Sequence, residues 1–398
     1  MLPLYRAAIT AALVVYMRSA SAETIRIDLH GAIERAHRVS PVAARLRGEV
    51  ATAEAGVTGA NVAFLANPEL EADAGPRFVQ PNIDADVELA QPLELGRRGP
   101  RRALAGAELE RAKASVDASL RTLDLEVATA FYNTVYADRV VELSKRTEDL
   151  ATRAAEVADR RRRAGDITDL DADLARAAAG RARSAALAAA SERTAAAGKL
   201  AVLIGAAPGD TIAVTADLRQ LAPPSPAGQR ADLRALDAER KVGEAAHEAA
   251  VANARPDLGV FVTFRREAGD PIILGGIRLG LPVWNQGQGE RARANAHAST
   301  AREQLEATTR VATREVADAT DAFTHAHDAV ESYERDVLPA LDDAEQLLDK
   351  SIAAGQLAIN EYLVERQELV NGRREYLDRL LALARAHAAL QFAAGATP

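Results

Sequence analysis

The sequence predicts a mainly α-helical chain with a transmembrane β portion. Long coiled-coil helices form an α-barrel that is continuous with a β-barrel, to which each chain gives four strands. Three observations lead there: a twofold internal repeat, proline-free stretches of coiled-coil length, and two pairs of alternating strands set between those stretches.

The repeat organises the chain. Leu89-Ala-Gln-Pro92, then Gly96-Arg-Arg-Gly99 and a long Ala/Glu/Arg stretch, recur about 190 residues later. There they read Leu279-Gly-Leu-Pro282, then Asn285-Gln-Gly287-Gln-Gly289 and a second long stretch. Glu126-Val-Ala128 returns as Glu315-Val-Ala317, Arg163-Ala-Gly165 as Ala353-Ala-Gly355, and Asn67-Pro68 as Arg255-Pro256. The expected organisation is a first repeat over 23–205 and a second over 231–398. A linker over 206–230 is punctuated by Pro208, Pro223, Pro224 and Pro226.

Taken in order, residues 1–22 read as an export signal. Arg6 precedes the apolar run Ala7–Tyr16, and Ala20-Ser21-Ala22 offers a cleavage site. About ten apolar residues are half of what a membrane-spanning helix needs. From Arg97 to Arg162 the only proline is Pro100, near the start, and the only glycines are Gly99 and Gly106, enough for about 100 Å of helix if continuous. In the second half Ala312, Val316, Ala319, Phe323, Ala326, Val330, Tyr333 and Val337 follow in alternating steps of four and three, a heptad seam that implies left-handed supercoiling. Pro339 is expected to break or kink that helix, where the first half has Asp149.

The strands carry most of the argument. Between 68 and 92, Leu70, Ala72 and Ala74 alternate with Glu69, Glu71 and Asp73. After a polar turn, Ile83, Ala85, Val87 and Leu89 alternate with Asp84, Asp86 and Glu88. Between 256 and 282, Leu258, Val260, Val262 and Phe264 form one face. After a second turn, Ile273, Gly275, Ile277 and Leu279 continue it, with Arg265 and Arg278 opposite. Such alternation over about ten residues, paired through polar turns, suits a sheet with lipid on one side and water on the other. Four strands close no barrel, and an open edge in hydrocarbon costs several kcal/mol per unsatisfied backbone group. Copies must therefore pool strands: two would give eight, nearly filled by side chains, and three would give twelve with a lumen.

Composition narrows the function classes. Aromatics are 4% of the chain, which suits thin helices better than a thick core. There is no cysteine, hence no disulfide framework, thiolate chemistry or lipidated N-terminus after the signal. The net charge of −8 argues against nucleic acid as a partner. No nucleotide-binding loop, nucleophile elbow or zinc-protease motif occurs, so neither an enzyme nor a cofactor is expected. His325 and His327 sit too far apart around a helix to chelate together. Trp284 follows the last strand, where a membrane interface would lie.

With these features in place, the chain resembles the TolC-like outer-membrane efflux proteins, from about Leu29 to Gly395. Gln91-Pro-Leu-Glu-Leu-Gly96-Arg-Arg-Gly99 and Leu281-Pro-Val-Trp-Asn-Gln-Gly287-Gln-Gly289-Glu290 look most like the branch serving cobalt–zinc–cadmium type pumps. The resemblance implies a homotrimer in the bacterial outer membrane, with a twelve-stranded barrel and a periplasmic α-barrel. It implies a periplasmic adaptor (a membrane fusion protein) and a proton-driven inner-membrane pump of the RND type as partners. The cargo would be small solutes, foremost heavy-metal cations. The same duct serving drug efflux or type I protein secretion is an alternative, as is a periplasmic coiled-coil scaffold.

Candidate sites follow from this reading. The helix tips at about 161–173 and 353–365 are expected at the periplasmic gate, with Glu361, Asp166 and Asp169 as gate carboxylates. Gly165 and Gly355 mark the tips that an adaptor would contact. With the apolar faces outward, Glu69, Glu71, Asp73, Asp84, Asp86 and Glu88 form an acidic lumen face. Acids at helix starts are also ordinary dipole partners.

Overall fold

The computed structural model describes residues 24–77, 82–219, 221, 223–224, 228–267, 269–354 and 356–396. The expected export signal and Gly355 lie outside them. In chain order the elements are β1 (Thr24–Ile27), α1 (Leu29–Val39), α2 (Pro41–Ala60), β2 (Glu69–Arg77), β3 (Asn82–Leu93), α3 (Arg98–Ala164) and α4 (Asp169–Leu203). Then come β4 (Thr211–Val214), α5 (Ala231–Asn253), β5 (Asp257–Glu267), β6 (Asp270–Gly280), α6 (Gln288–Ser332), a π turn (Tyr333–Val337), α7 (Leu338–Ala353) and α8 (Ile359–Ala394).

Local chemistry sets the boundaries. Ser40 Oγ accepts from the Ala43 N–H at 3.1 Å and Pro41 opens α2, so the chain stops one helix and starts the next within two residues. α3 runs 67 residues without a break because its one proline, Pro100, stands in the first turn, where the backbone N–H has no partner within the helix anyway. Gly165 ends it at φ +83°, with the Asp166 N–H on Arg161 O at 2.9 Å and the Gly165 N–H on Arg162 O at 3.0 Å. Thr168 then caps α4 reciprocally with Asp171.

The seam read from the sequence is the buried stripe of its helix. Ala312, Phe323, Val330 and Tyr333 are buried, and Val316, Ala319, Ala326 and Val337 are half-buried among exposed neighbours. Pro339 does not break this helix. The Leu338 N–H bonds to Tyr333 O, five residues back, and α7 follows directly. Proline has no N–H for the carbonyl four residues earlier and its ring crowds that carbonyl. A single widened turn relieves both, and the helix continues.

The chain divides into two compact units, each drawing on both halves of the sequence. One is formed by the described residues of Met1–Ala36, Val127–Leu218 and Ala340–Asp378. It is centred on fully buried Phe131, Val127, Val140, Leu200, Ile204 and Ile212. A parallel pair, β1 with β4, also lies in it. The segment expected only to link the two repeats thus contributes a strand. Arg193 ties that strand down, donating to Ile212 O at 2.6 Å and to Asp138 at 2.8 Å.

The other unit comprises His37–Glu126, Arg219–Pro339 and the described residues of Arg379–Pro398. It holds an antiparallel sheet in the order β2-β3-β5-β6. Beside the sheet, α5 and α6 pack so closely that a Cβ on Gly243 would stand 2.8 Å from the Ala298 backbone. Arg121 closes the end of α8, donating to the carbonyls of Gly395 (2.9 Å), Ala396 (3.0 Å) and Gln391 (3.2 Å).

Candidate functional site

The register of the four-stranded sheet sorts every strand side chain onto one of two faces. On one, Leu70 pairs with Leu89, Leu89 with Val262 and Val262 with Gly275. Ala72, Val87, Phe264 and Ile273 form the next row. These apolar side chains point at no protein, and Ile273 is 74% exposed. Burial in hydrocarbon is the arrangement that suits them.

The opposite face collects the acids. Glu71 lies across from Glu88 and Asp73 across from Asp86. Like charges directly opposed destabilise a strand pair by up to about 1 kcal/mol. Two arginines from the second hairpin offset this. Arg265 holds both oxygens of Asp86 at 2.8–3.0 Å, and Arg278 reaches Glu88 at 2.5 Å. Thr263 also donates to Glu88, at 3.1 Å. Glu69, Glu71 and Asp73 have no ion-pair partner among the described residues. The six carboxylates of β2 and β3 stand against these two arginines, and Asp257, Glu267 and Asp270 join the same face by register, so the face keeps a negative excess.

The sequence reading missed that this face is partly apolar. Phe261, Ile272 and Leu274 share it, by register with Ala90, Arg265 and Thr263. Phe261 lies under the Arg278 guanidinium at 5.5 Å. It fits because position 276 is glycine: a Cβ there would come within 2.7 Å of the ring. The signal was in the alternation, since Phe261 lies between two residues of the opposite face.

The two helix tips lie together in the other unit. Residues from both, Arg161, Gly165, Asp166, Thr168, Gln356 and Ile359 among them, line a shallow cleft of about 560 Å³. Behind it Ala155, Ala158, Ala175 and Ile359 pack into a small apolar core. Asp169 is exposed and pairs with Arg162 at 3.2 Å, and Asp166 is exposed at the turn. Glu361 is exposed and accepts from the Ala358 N–H at 3.4 Å. It is the third residue of α8, as Asp171 is of α4, so each acid serves its own helix start. Gly355 lies outside the described residues and has no place here.

A charge cluster behind the tips also went unread. Glu345 on α7 meets Arg146 of α3 at 3.2 Å and, from α8, Arg366 at 3.0 Å and Arg373 at 2.5 Å. Arg373 also reaches Asp342 at 2.7 Å, and Arg366 reaches Asp349 at 3.5 Å. Burial alone would raise the Glu345 pKa. The Arg373 hydrogen bond and the charges of Arg366, Arg373 and Arg146 outweigh it, and the net shift is downward. The legible signal was spacing: Asp342, Glu345 and Asp349 share a helix face, and so do Arg366 and Arg373.

Among the described residues His325 is in no cluster with metal-ligand spacing. His327, Asp328 and Glu331 bring ligand atoms within 4.8 Å of one another, but all three stand exposed on one helix. No described helix is long and apolar enough to cross a membrane.

Known proteins place this geometry. Residues 33–206 match the family described as outer membrane efflux protein. Nearly the whole chain shares a fold with solved outer-membrane proteins. The Neisseria gonorrhoeae MtrE outer membrane channel, solved in its open state, aligns over 92% of this chain and 89% of its own, at 19% identity and a TM-score of 0.75. CusC, whose structures concern folding and transmembrane channel formation, aligns over 94% of both chains at 17% identity and a TM-score of 0.74. The outer membrane protein VceC of Vibrio cholerae aligns over 92% and 96%, at 20% identity and a TM-score of 0.72. No curated protein matches the sequence. The fold is that of these solved membrane proteins, with long helices and four antiparallel strands.

Proposed function

We propose that this chain is an outer membrane efflux protein and works as a homotrimer, forming the exit duct of a tripartite efflux system. One observation carries the reading. The sheet β2-β3-β5-β6 is apolar on its outer face and open at both edges, β2 and β6. In hydrocarbon both edges need partners, and three copies joined β6 to β2 make twelve strands around an acidic lumen.

In this reading solutes pass down their gradient. The energy comes from a proton-driven RND-type pump in the inner membrane, through a periplasmic adaptor that docks at the helix tips near Gly165 and Gly355. Glu361, with Asp166 and Asp169, lines the periplasmic constriction in three copies, attracting cations to the entrance. Six lumen carboxylates, Glu69, Glu71, Asp73, Asp84, Asp86 and Glu88, support heavy-metal cations as the cargo. Residues 1–22 serve as the export signal, and the repeats over 23–205 and 231–398 supply one hairpin each.

The deciding experiment is the mass and location of the mature protein after detergent extraction of separated membranes. An outer-membrane trimer is the expected result, and a soluble periplasmic monomer or dimer would sink the duct. For cargo, a deletion strain is expected to lose tolerance to divalent heavy metals. Unchanged metal tolerance with new sensitivity to organic drugs would reassign the substrate.

A further inference from the structure

The register within one copy constrains how the next copy can join it. A row of directly opposed residues runs from Glu69 through Ala90 and Phe261 to Gly276, one from each strand of the sheet. Were the next copy's Glu69 to continue that row opposite Gly276, the strands would stand upright in the barrel. Sliding the next copy along β6 tilts them, in steps of two residues so that lipid-facing and lumen-facing side chains keep their sides. With a rise of about 3.4 Å per residue and strands about 4.8 Å apart, Glu69 opposite Arg278 gives a tilt of about 20° in a twelve-stranded barrel. Opposite Gly280 the tilt is about 35°, and opposite Pro282 about 47°.

Two constraints select Gly280. Membrane barrels tilt by about 35–45°. With Glu69 on Gly280 all nine residues of β2 find partners, ending with Arg77 on Ile272. With Glu69 on Pro282 the first two run past the end of β6, onto a residue that has no N–H. Sliding the other way to the same tilt leaves only three of the nine paired.

That register sets Glu71 directly opposite Arg278 of the neighbouring copy. Within its own chain Glu71 faces Glu88, a like charge, and has no ion-pair partner among the described residues. Arg278 holds Glu88 at 2.5 Å, yet its side chain is 61% exposed, and a guanidinium has donors to share. On the lipid side the same register sets Leu70 against Leu279 and Ala72 against Ile277, apolar on apolar.

We infer that copies join with Glu69 opposite Gly280, and that each Arg278 bridges its own Glu88 and the next copy's Glu71. The inference rests on the homotrimer reading and deepens it by naming the contact that locks β6 to β2. Every opposed Glu71–Glu88 pair then has an arginine at each end, its own chain's on Glu88 and the neighbour's on Glu71. The repulsion that an isolated copy leaves standing is offset only in the assembly.

The chain has no cysteine, so an engineered disulfide reports the joint without background. β2 and β6 are opposite edges of the sheet, so any bond between them links two copies. Ile277→Cys is combined in turn with Leu70→Cys, Ala72→Cys and Ala74→Cys in the full mature protein, which is extracted in detergent and mildly oxidised. Directly opposed cysteines lie within bonding range, and those one step along the strand do not. The Ala72 combination is expected to run mostly as covalent trimer on non-reducing gels, and the other two to give traces. A bond from Leu70 (a tilt of about 20°) or from Ala74 (about 47°) in its place overturns the register. No bond from any combination at native trimer mass overturns the joint and leaves the trimer standing, whereas a monomeric native mass removes the homotrimer as well. The bridge has its own readout. Glu71→Arg and Arg278→Glu should each lower the temperature at which the trimer dissociates, and the two together should restore it. Single variants without effect, or a combination that restores nothing, would overturn the bridge.

Discussion

Gly243 and Gly180 show how differently one residue type is used along these helices. A Cβ on Gly243 would strike the Ala298 backbone, whereas one on Gly180 meets nothing within 4 Å. Gly243→Leu is therefore expected to cost about 1–3 kcal/mol by forcing α5 off α6. Gly180→Ala should gain about 0.5–1 kcal/mol, since an interior helical glycine only adds backbone entropy to the unfolded chain. Thermal unfolding of the two variants separates the cases, and equal effects would contradict the close packing. Sequence alone distinguishes them poorly, because both glycines sit in alanine-rich stretches of similar pattern. Glu361 carries a similar lesson. Its place near a tip was legible, but its bond to the Ala358 N–H was not, and that bond gives it a structural task beside any gating one.

Among the elements, α3, α7 and α8 meet through Glu345. Glu345→Gln is expected to cost about 3 kcal/mol, because Arg366, itself buried, loses its better partner. The folded-state pKa of Glu345 lies below its ordinary value of 4.5, so the folded protein gives up this proton at lower pH than the unfolded chain does. The stability this provides is present in full above about pH 4.5 and is lost as pH falls through the depressed folded value. A chemical-denaturation series from pH 6 downward should show wild type losing that increment on the acid side while Glu345→Gln stays flatter; parallel curves would contradict the hub. The helix lengths and the α6 seam were legible because burial repeats every three to four residues. The π turn was not: proline announces a missing donor, but not whether the helix bends, breaks or widens around it.

For the whole molecule, the proposed trimeric duct makes opposite demands on the two faces of the strand sheet, lipid on the apolar one and water on the acidic one. Ile277→Lys, in the middle of the lipid face, should cost about 2–4 kcal/mol in the bilayer and abolish a heat-resistant trimer on gels. A trimer unaffected by that lysine would show that the face meets something other than lipid. In the proposed duct the acidic face should make the pore cation-selective, read as a reversal potential across a salt gradient in planar bilayers. Neutralising Glu69, Glu71 and Asp73 together should move that potential toward zero, and Arg265→Ala should move it the other way. Screening in a wide wet pore keeps both shifts modest, and they should shrink further in high salt.

The sequence by itself determined the twofold repeat, the long helices, the buried seam of α6 and which side chains of each strand share a face. All of these are periodicities, and period two or three-and-a-half survives in the order of residues whatever lies next to them. Only the tertiary structure decided that β3 and β5 pair to join two hairpins far apart in the chain. It also decided that Thr211–Val214 closes on Thr24–Ile27, that Arg265 and Arg278 settle on Asp86 and Glu88, and that Glu345 gathers three arginines. Those contacts join residues far apart in the chain, and their partners are chosen by packing geometry that no local pattern encodes.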